Sequence, residues 1–379
     1  MKVAIVITGL STGGAETMLL RLLENIDRGK FSFHVISLTT RGEIGPRINA
    51  LGVPVEALGM ARGSPNPMAI FRLRSRLREL RVNLVHTWMY HADLLGGLAA
   101  RAAGIRTVIW GIRNSDLDRH KTSTSTRCVV GINARLSKWL PAGILSCSSV
   151  ARDVHVAVGY KGEKISVIPN GFDLAKFKPD SAARVSVREE LGLPRDTPLI
   201  GVVGRDDPQK NHVGFLYAAA LLRSRSPGVH FVFVGGGMDG ANFRLEAAAA
   251  EVGVDGVTHF LGRRDDMPRL MASFDVLASS SSFGEAFPNV LGEAMACAVP
   301  CVVTDVGDSA FIVGETGHVV AVGDMPALAA GIEQMLALMP TERSALGDRA
   351  RERVRRLFDI HDVARRYEDY YMRLAGTGS

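Results

Sequence analysis

Short apolar runs alternate with amphipathic stretches from the first residues of the chain. "KVAIVIT" is followed by a helical pattern over 15–25, "FHVISLT" by one over 68–81, and "VNLVHTW" by one over 92–104. These runs have no polar face, so each predicts a strand buried on both sides of a mostly parallel sheet. The rhythm restarts after "VIPNGFDLAKFKPD". "LIGVVG", helix 213–224, "HFVFVG", helix 242–251, "VTHFLG", helix 266–273, "DVLASS", helix 288–296 and "PCVVT" then follow in order. The pattern predicts an α/β protein of two doubly wound domains, 1–169 and 170–359, facing each other across a cleft. The last segment, "RERVRRLFDIHDVARRYEDYYMRLAG", reads as helical, and its part over 360–379 is expected to pack back on the first domain.

Composition narrows the class. The chain has 379 residues, 46% of them hydrophobic and 22% charged, which suits folded domains with real cores. No apolar run approaches the roughly 18 residues of a spanning helix. The amino terminus resembles a signal peptide superficially, but its glycine loop and amphipathic continuation fit a buried first strand better. The four cysteines, Cys128, Cys147, Cys297 and Cys301, lack a Cys-x-x-Cys spacing and read as reduced, buried thiols of a cytoplasmic protein. Charge is uneven. Residues 1–168 hold 23 basic and 11 acidic side chains, a balance of +12, whereas 169–379 hold 22 and 28, a balance of −6. One domain is therefore expected to meet an anionic surface or substrate.

Ligands of open α/β sheets bind beyond the carboxyl ends of the strands, so chemistry is sought there. "GLSTGGAE" follows the first strand and opens a helix, where small residues admit a ligand and free N–H groups favour phosphate, although a plain tight turn reads the same way. "VGRDDPQKNH" places Arg205 and Lys210 in the first loop of the second domain, both able to reach one diphosphate; two solvated surface cations are the alternative. "FVGGGMDG" contains Gly235, Gly236, Gly237 and Gly240, formally a dinucleotide fingerprint with Asp255 at about the ribose distance. It is not the first unit of its domain, and a loop closing over a mononucleotide explains it equally.

"SSFGEAFPNVLGEAMA" sets Glu285 and Glu293 about a helix start, with Pro288 expected at the first helical position. Backbone N–H groups around Phe287 to Val290 would then face a ligand. A glycosidase needs two carboxylates opposed across the scissile bond. Two acids on one helix start are offset instead, Glu285 forward at the tip and Glu293 set back along the flank. One can accept from sugar hydroxyls and the other from ribose, leaving the N–H groups between them for phosphate. A capped amphipathic helix with an exposed glutamate is the bland alternative.

Together these segments resemble the retaining glycosyltransferases of family 4, whose fold is GT-B, a pair of Rossmann-like domains. The resemblance runs through "GGAE", "IPNGFDLAKF", "GRDDPQKNH", "FLGRRDDMPRLMASFDVLASSS" and "EAFPNVLGEAMACAVPCVVTDVG", and the glutamate pair fits that family's E-x7-E signature. It implies a nucleotide-sugar donor, UDP- or GDP-linked, held by the second domain, a glycan or lipid-linked acceptor held mainly by the first, and no cofactor or catalytic metal. Arg205 and Lys210 would neutralise the departing diphosphate, Glu285 would hold the donor sugar and Glu293 the ribose. Gly13 and Gly14 would approach the phosphates, and the backbone from Leu261 to Arg263 the base. Gly235, Gly236, Ala286, Phe287, Pro288, Asn289, Val290 and Leu291 complete the expected donor site. Polysaccharide or surface-glycan synthesis is the process implied.

One departure stands out. Where many relatives carry a histidine after "TVIWGI", this chain has Arg113 and Asn114, which makes His91 the nearest substitute and leaves His86 inside the preceding strand. Asp116 and Asp118 form a D-x-D, read as solvated loop acids rather than a metal site. The helix "IFRLRSRLRELR" turns Ile70, Leu73, Leu77 and Leu80 inward and carries Arg72, Arg74, Arg76, Arg78 and Arg81. It reads as a core-packed helix with a solvated basic face or as a dock on the anionic inner face of a membrane. Nucleic acid is disfavoured because no aromatics interleave the arginines. The competing functions are a GT-B epimerase or phosphorylase, a non-catalytic sugar-nucleotide-binding subunit and, remotely, an NAD-dependent dehydrogenase.

Overall fold

The computed structural model describes residues 1–61, 67–117 and 122–376. The chain divides into two compact units, Met1–Gly171 with Ile360–Ser379 and Phe172–Asp359. The first unit is built on strands β1 (Lys2–Ile7), β2 (Ser32–Ser37), β3 (Val55–Ala57), β4 (Leu84–Trp88), β5 (Thr107–Ile112), β6 (Gly143–Ser146) and β7 (Ile165–Val167). They pair in parallel in the order β3-β2-β1-β4-β5-β6-β7. The second unit repeats the scheme with β8 (Leu199–Val203), β9 (His230–Val234), β10 (Thr258–Phe260), β11 (Val276–Ser279), β12 (Cys301–Thr304) and β13 (His318–Val320). Its order is β10-β9-β8-β11-β12-β13, again all parallel.

In each sheet the winding reverses once, between β1 and β4 and between β8 and β11. Loops leaving two such neighbours diverge to opposite faces and open a crevice at the carboxyl edge. The central strands are enclosed because helices cover both faces: every residue of β4 and of β5 is buried, His86 and Thr87 among them.

The carboxy-terminal segment is two helices rather than one. Pro340–Phe358 belongs to the second unit and Ile360–Gly376 to the first, with Asp359 extended between them. Phe172 bridges Asp359 and donates its N–H to the Phe358 carbonyl at 2.8 Å, so the break is held by pairing that the helical pattern does not reveal. Val363, Ala364, Tyr367 and Tyr371 of the last helix enter the first core.

The basic helix spans Pro67–Leu80, with Leu73 and Leu77 fully buried. Its arginines are not equivalent. Arg74 caps the Ala102 carbonyl at 3.0 Å, and Arg76 is paired with Glu56 and Glu79. Arg72 reaches the Leu58 carbonyl at 3.4 Å, while Arg78 and Arg81 line an open hollow with Arg106 at the amino-terminal edge of the sheet. Cys128 is exposed on the outer face of helix Thr124–Leu136, contrary to the buried expectation, whereas the other three thiols are buried.

Candidate functional site

After β8 the chain passes Gly204 and Arg205 into a single 3-10 turn, Pro208–Lys210. Asp207 caps this turn, accepting from the Gln209 N–H at 3.0 Å, and holds Arg205 Nε at 2.9 Å. Asn211 takes the left-handed backbone that asparagine tolerates (φ 52°) and caps helix His212–Arg225 by accepting from the Gly214 N–H. His212 meets the Arg205 carbonyl at 2.9 Å through Nε2. Burial pushes its imidazole down to about 4, so the neutral ring donates that bond at physiological pH.

The loop after β11, across the switch point, is stitched to this turn. Ser280 Oγ donates to the Lys210 carbonyl at 2.9 Å, and the Ser282 N–H donates to the Gln209 carbonyl at 2.8 Å. The two loops bring together residues 75 positions apart: Lys210 Nζ forms an ion pair with Glu285 Oε1, and Ser281 Oγ donates to the same oxygen at 2.9 Å. The lysine side chain keeps 19% of its surface and the glutamate 10%. A carboxylate this enclosed needs such compensation. Gly307 (φ 59°) packs against the Glu285 carbonyl with no room for a Cβ, and the Asp308 N–H donates to the Ala286 carbonyl at 3.0 Å.

Helix Asn289–Ala296 follows directly. Pro288 stands before it as an extended cap (φ −67°, ψ 107°), one position earlier than expected: its ψ must carry the chain in from the 285–287 turn. The Phe287 ring stacks on Phe172 at 6.3 Å and meets Phe358 edge-on at 5.4 Å, so its side chain serves the core of the unit. Leu291 is fully buried, Asn289 and Val290 are half-buried, and Glu293 is 8% exposed in the middle of the helix.

Beside this centre the ends of β9 and β10 meet the first loop. A Cβ on Gly235 would collide with the Gly204 carbonyl, which is why glycine stands there. The Asp206 N–H donates to the Gly236 carbonyl at 2.8 Å, the Gly235 N–H to the Gly262 carbonyl at 2.8 Å, and the Leu261 N–H to the Phe233 carbonyl at 2.9 Å. The Arg263 guanidinium flanks Gly236. The second unit thus gathers Arg205, Lys210, Gly235, Gly236, the backbone from Leu261 to Arg263, Glu285 and the helix bearing Glu293 along one sheet edge.

The first unit places its candidates at the corresponding edge. Gly13 caps helix Gly14–Asn25 in extended conformation, with the Glu16 carboxylate folded over it, and Glu43 accepts from the Thr12 N–H at 3.0 Å. His91 is the second residue of helix Tyr90–Ala102, half-buried, and burial lowers its imidazole. His86 is fully buried, 2.8 Å from the Tyr371 hydroxyl, and is pushed well below its usual range by burial and by Arg113. Arg113 itself lies 3.8 Å over the Trp88 ring and donates to Asn170 Oδ1 at 3.1 Å and to the Tyr367 hydroxyl at 2.6 Å. Asp116 closes a small turn with Asn114, its N–H donating to Asn114 Oδ1 at 3.1 Å; Asp118 lies outside the described residues.

Sequence reasoning missed Ser281 and, in the first unit, Asp93 with Thr87. A signal for Asp93 existed: it is the one acid in the otherwise small and apolar run "ADLLGGLAA".

Two family models match the chain, "Glycosyltransferase Family 4" over residues 12–176 and "Glycosyl transferases group 1" over residues 197–337. A D-inositol 3-phosphate glycosyltransferase of Corynebacterium urealyticum is 30% identical over 358 residues, covering 86% of this chain and 82% of the relative. The chain belongs to glycosyltransferase family 4. This glycosyltransferase is also 29% identical over 316 residues to the putative glycosyltransferase EpsF of Bacillus subtilis, covering 80% and 79% of the two chains. Among solved structures, Anabaena HepE in complex with UDP and glucose superposes with a TM-score of 0.84 at 22% identity, over 98% of this chain and 99% of that one. The glycosyltransferase therefore has the two Rossmann-like units of the GT-B fold. Among its described residues no helix is long and apolar enough to cross a membrane.

Proposed function

We propose that this chain is a retaining glycosyltransferase that takes a sugar from a UDP- or GDP-linked donor held by the second unit and transfers it to a glycan or lipid-linked acceptor. The observation that carries this reading is the Lys210–Glu285 pair at the β8/β11 switch point, flanked by Arg205 and the helix bearing Glu293. Lys210 and Glu285 are paired with each other in the structure. An arriving diphosphate offers the lysine a second anion, and the carboxylate is then available to sugar hydroxyls. Arg205, its plane set through Nε by Asp207, turns its fork to the same phosphates. As the glycosidic bond breaks, negative charge grows on the departing diphosphate, and these two cations stabilise it without a metal ion. The acceptor attacks on the face the diphosphate leaves, with His91 of the first unit as the candidate base.

Two comparisons support the substrate classes. A relative in Escherichia coli, 28% identical over 272 residues, is named as a galactosyltransferase using UDP-Gal and a diphosphoundecaprenol-linked acceptor, and the HepE structure holds UDP and glucose. A thermal-shift screen of UDP-, GDP- and ADP-sugars tests the donor. One family should raise the melting temperature, since ligand at about 100 times its Kd adds about 2.7 kcal/mol. No shift with any of them contradicts the reading.

A lipid-linked acceptor makes a bilayer dock useful, and the basic helix is proposed to supply it. Arg74 and Arg76 are spent on short internal contacts, and Arg72 is tied only by its long 3.4 Å reach to the Leu58 carbonyl. The dock therefore falls to Arg72, Arg78 and Arg81, with exposed Met68 and Phe71 on the same helix. Cosedimentation with anionic but not neutral vesicles at low salt is the expected result; equal sedimentation overturns it.

A further inference from the structure

The first unit buries a carboxyl that the proposed transfer does not use. Asp93 lies in the first turn of helix Tyr90–Ala102 with no exposed surface. The Thr87 oxygen stands 2.5 Å from Asp93 Oδ1 and 3.2 Å from the Ile109 carbonyl, and the Gly111 N–H donates to the same Oδ1 at 3.2 Å. A hydroxyl has one proton to give. Were Asp93 ionised, Thr87 would divide that proton between two acceptors, while Oδ2 stayed buried without a hydrogen-bond partner among the described residues. Protonation at Oδ1 settles the Thr87 proton, since the acid donates to Thr87 and Thr87 donates to the Ile109 carbonyl. It also makes the unpartnered Oδ2 a neutral carbonyl oxygen, which costs less to bury than a charged one.

The same residues close a ring of backbone bonds. The Met89 N–H donates to the Gly111 carbonyl at 3.0 Å, and the Asp93 N–H donates to the Met89 carbonyl at 2.9 Å. Inside that ring Met89 holds φ 74° and ψ 158°, a conformation that side-chain-bearing residues avoid unless their surroundings impose it. Met89 is the last residue before the helix, and His91 is the second residue within it.

We propose that Asp93 is a positioning residue which acts as a neutral carboxylic acid, pinning the strained Met89 turn and so fixing the direction in which His91 leaves β4. Its consequence for turnover rests on the transfer reading above; the protonation does not. The surroundings agree. Burial pushes the Asp93 carboxyl up to about 8, against the opposing pull of the Thr87 and Gly111 bonds and of the Arg113 charge. The other titratable groups facing it are Tyr90 on its own helix and Tyr160, both pushed up by burial and therefore neutral. A folded-state value above the unfolded carboxyl's 3.8 means that the native state holds this proton more tightly. The associated stability is complete below about pH 4 and is lost as pH rises towards about 8.

Asp93→Asn tests this, because it keeps the shape of the neutral acid and cannot titrate. The infrared difference between wild type and Asp93→Asn at pH 6.5 should contain the carbonyl band of a neutral acid, disappearing by about pH 9–10. Wild-type turnover should fall about tenfold between pH 7 and pH 9 as the acid ionises, while the variant stays nearly flat. Should the variant fail to fold, the isotope-edited spectrum of wild type labelled with carboxyl-carbon-13 aspartate reads the same band. Absence of that band at pH 6.5, or an unchanged alkaline limb in Asp93→Asn, overturns the proposal. The band is read without substrate, so it decides the protonation even if no sugar is transferred.

Discussion

The carboxyl edges of the two sheets share a strand order and a switch point, yet they hold their cations differently. In the second unit Lys210 rests against a carboxylate, Glu285, and remains partly exposed. In the first, Arg113 rests against a ring, a tyrosine hydroxyl and an asparagine side-chain carbonyl, with no carboxylate in contact among the described residues. An ion pair at a crevice can open when an anion competes for the cation. A guanidinium held by neutral groups from the junction, the last helix and β4 makes a frame. The wider charge distribution follows the same division: the first unit holds 26 basic and 14 acidic residues, the second 19 and 25. The net-negative unit is the one proposed to bind the anionic donor, so that binding must come from a few aimed cations rather than from the average field.

Several changes break or sharpen this contrast. The largest effect is expected from Lys210→Ala, which should lower kcat by about 10²–10³, the cost of removing a group aimed at transition-state charge; initial rates at saturating donor measure it. His91→Ala should lower turnover by about 10²-fold, the smaller end of general-base contributions, with donor affinity nearly unchanged. Unchanged turnover in that variant would remove His91 from the mechanism while leaving the second unit's account intact. Asp275→Ala tests the opposite edge of the second sheet, where Asp275 meets Arg188 at 2.8 Å and the Leu199 N–H at 2.9 Å, with the Arg188 side chain fully enclosed. It should cost about 3–5 kcal/mol of stability through a stranded arginine, seen as a lower denaturation midpoint, with donor affinity of the folded protein preserved. Arg76→Ala, which removes a partly exposed pair with Glu56, should cost only about 0.2–1 kcal/mol and leave vesicle binding unchanged.

Much of the fold was legible because fully apolar strands and 3.6-residue periodicity are local signals. The helix expected at 213–224 is His212–Arg225, and that expected at 242–251 is Phe243–Glu251. The break at Asp359 was not legible, since both flanking segments are helical and the interruption is enforced by Phe172, far away in sequence. In the candidate site the motif spacing pointed to Arg205, Lys210, Glu285 and Glu293, but not to the ion pair within the set. Nor did it show that Phe287 spends its ring on Phe172 and Phe358. Asp93 stayed hidden for the same reason, because its role depends on Gly111 and Ile109 in the next strand. Periodicity reports which face a residue occupies, and only tertiary contacts report what it meets there.

The most direct test of the central claim is a paired measurement of donor affinity and kcat for Glu285→Ala and Glu293→Ala, with donor binding followed by calorimetry. If Glu285 orients the sugar and Glu293 holds the ribose, Glu293→Ala weakens donor binding more than it slows transfer, and Glu285→Ala slows transfer more than it weakens binding. Equal losses of affinity and rate in both variants, or unchanged donor binding in Glu293→Ala, would contradict the assignment.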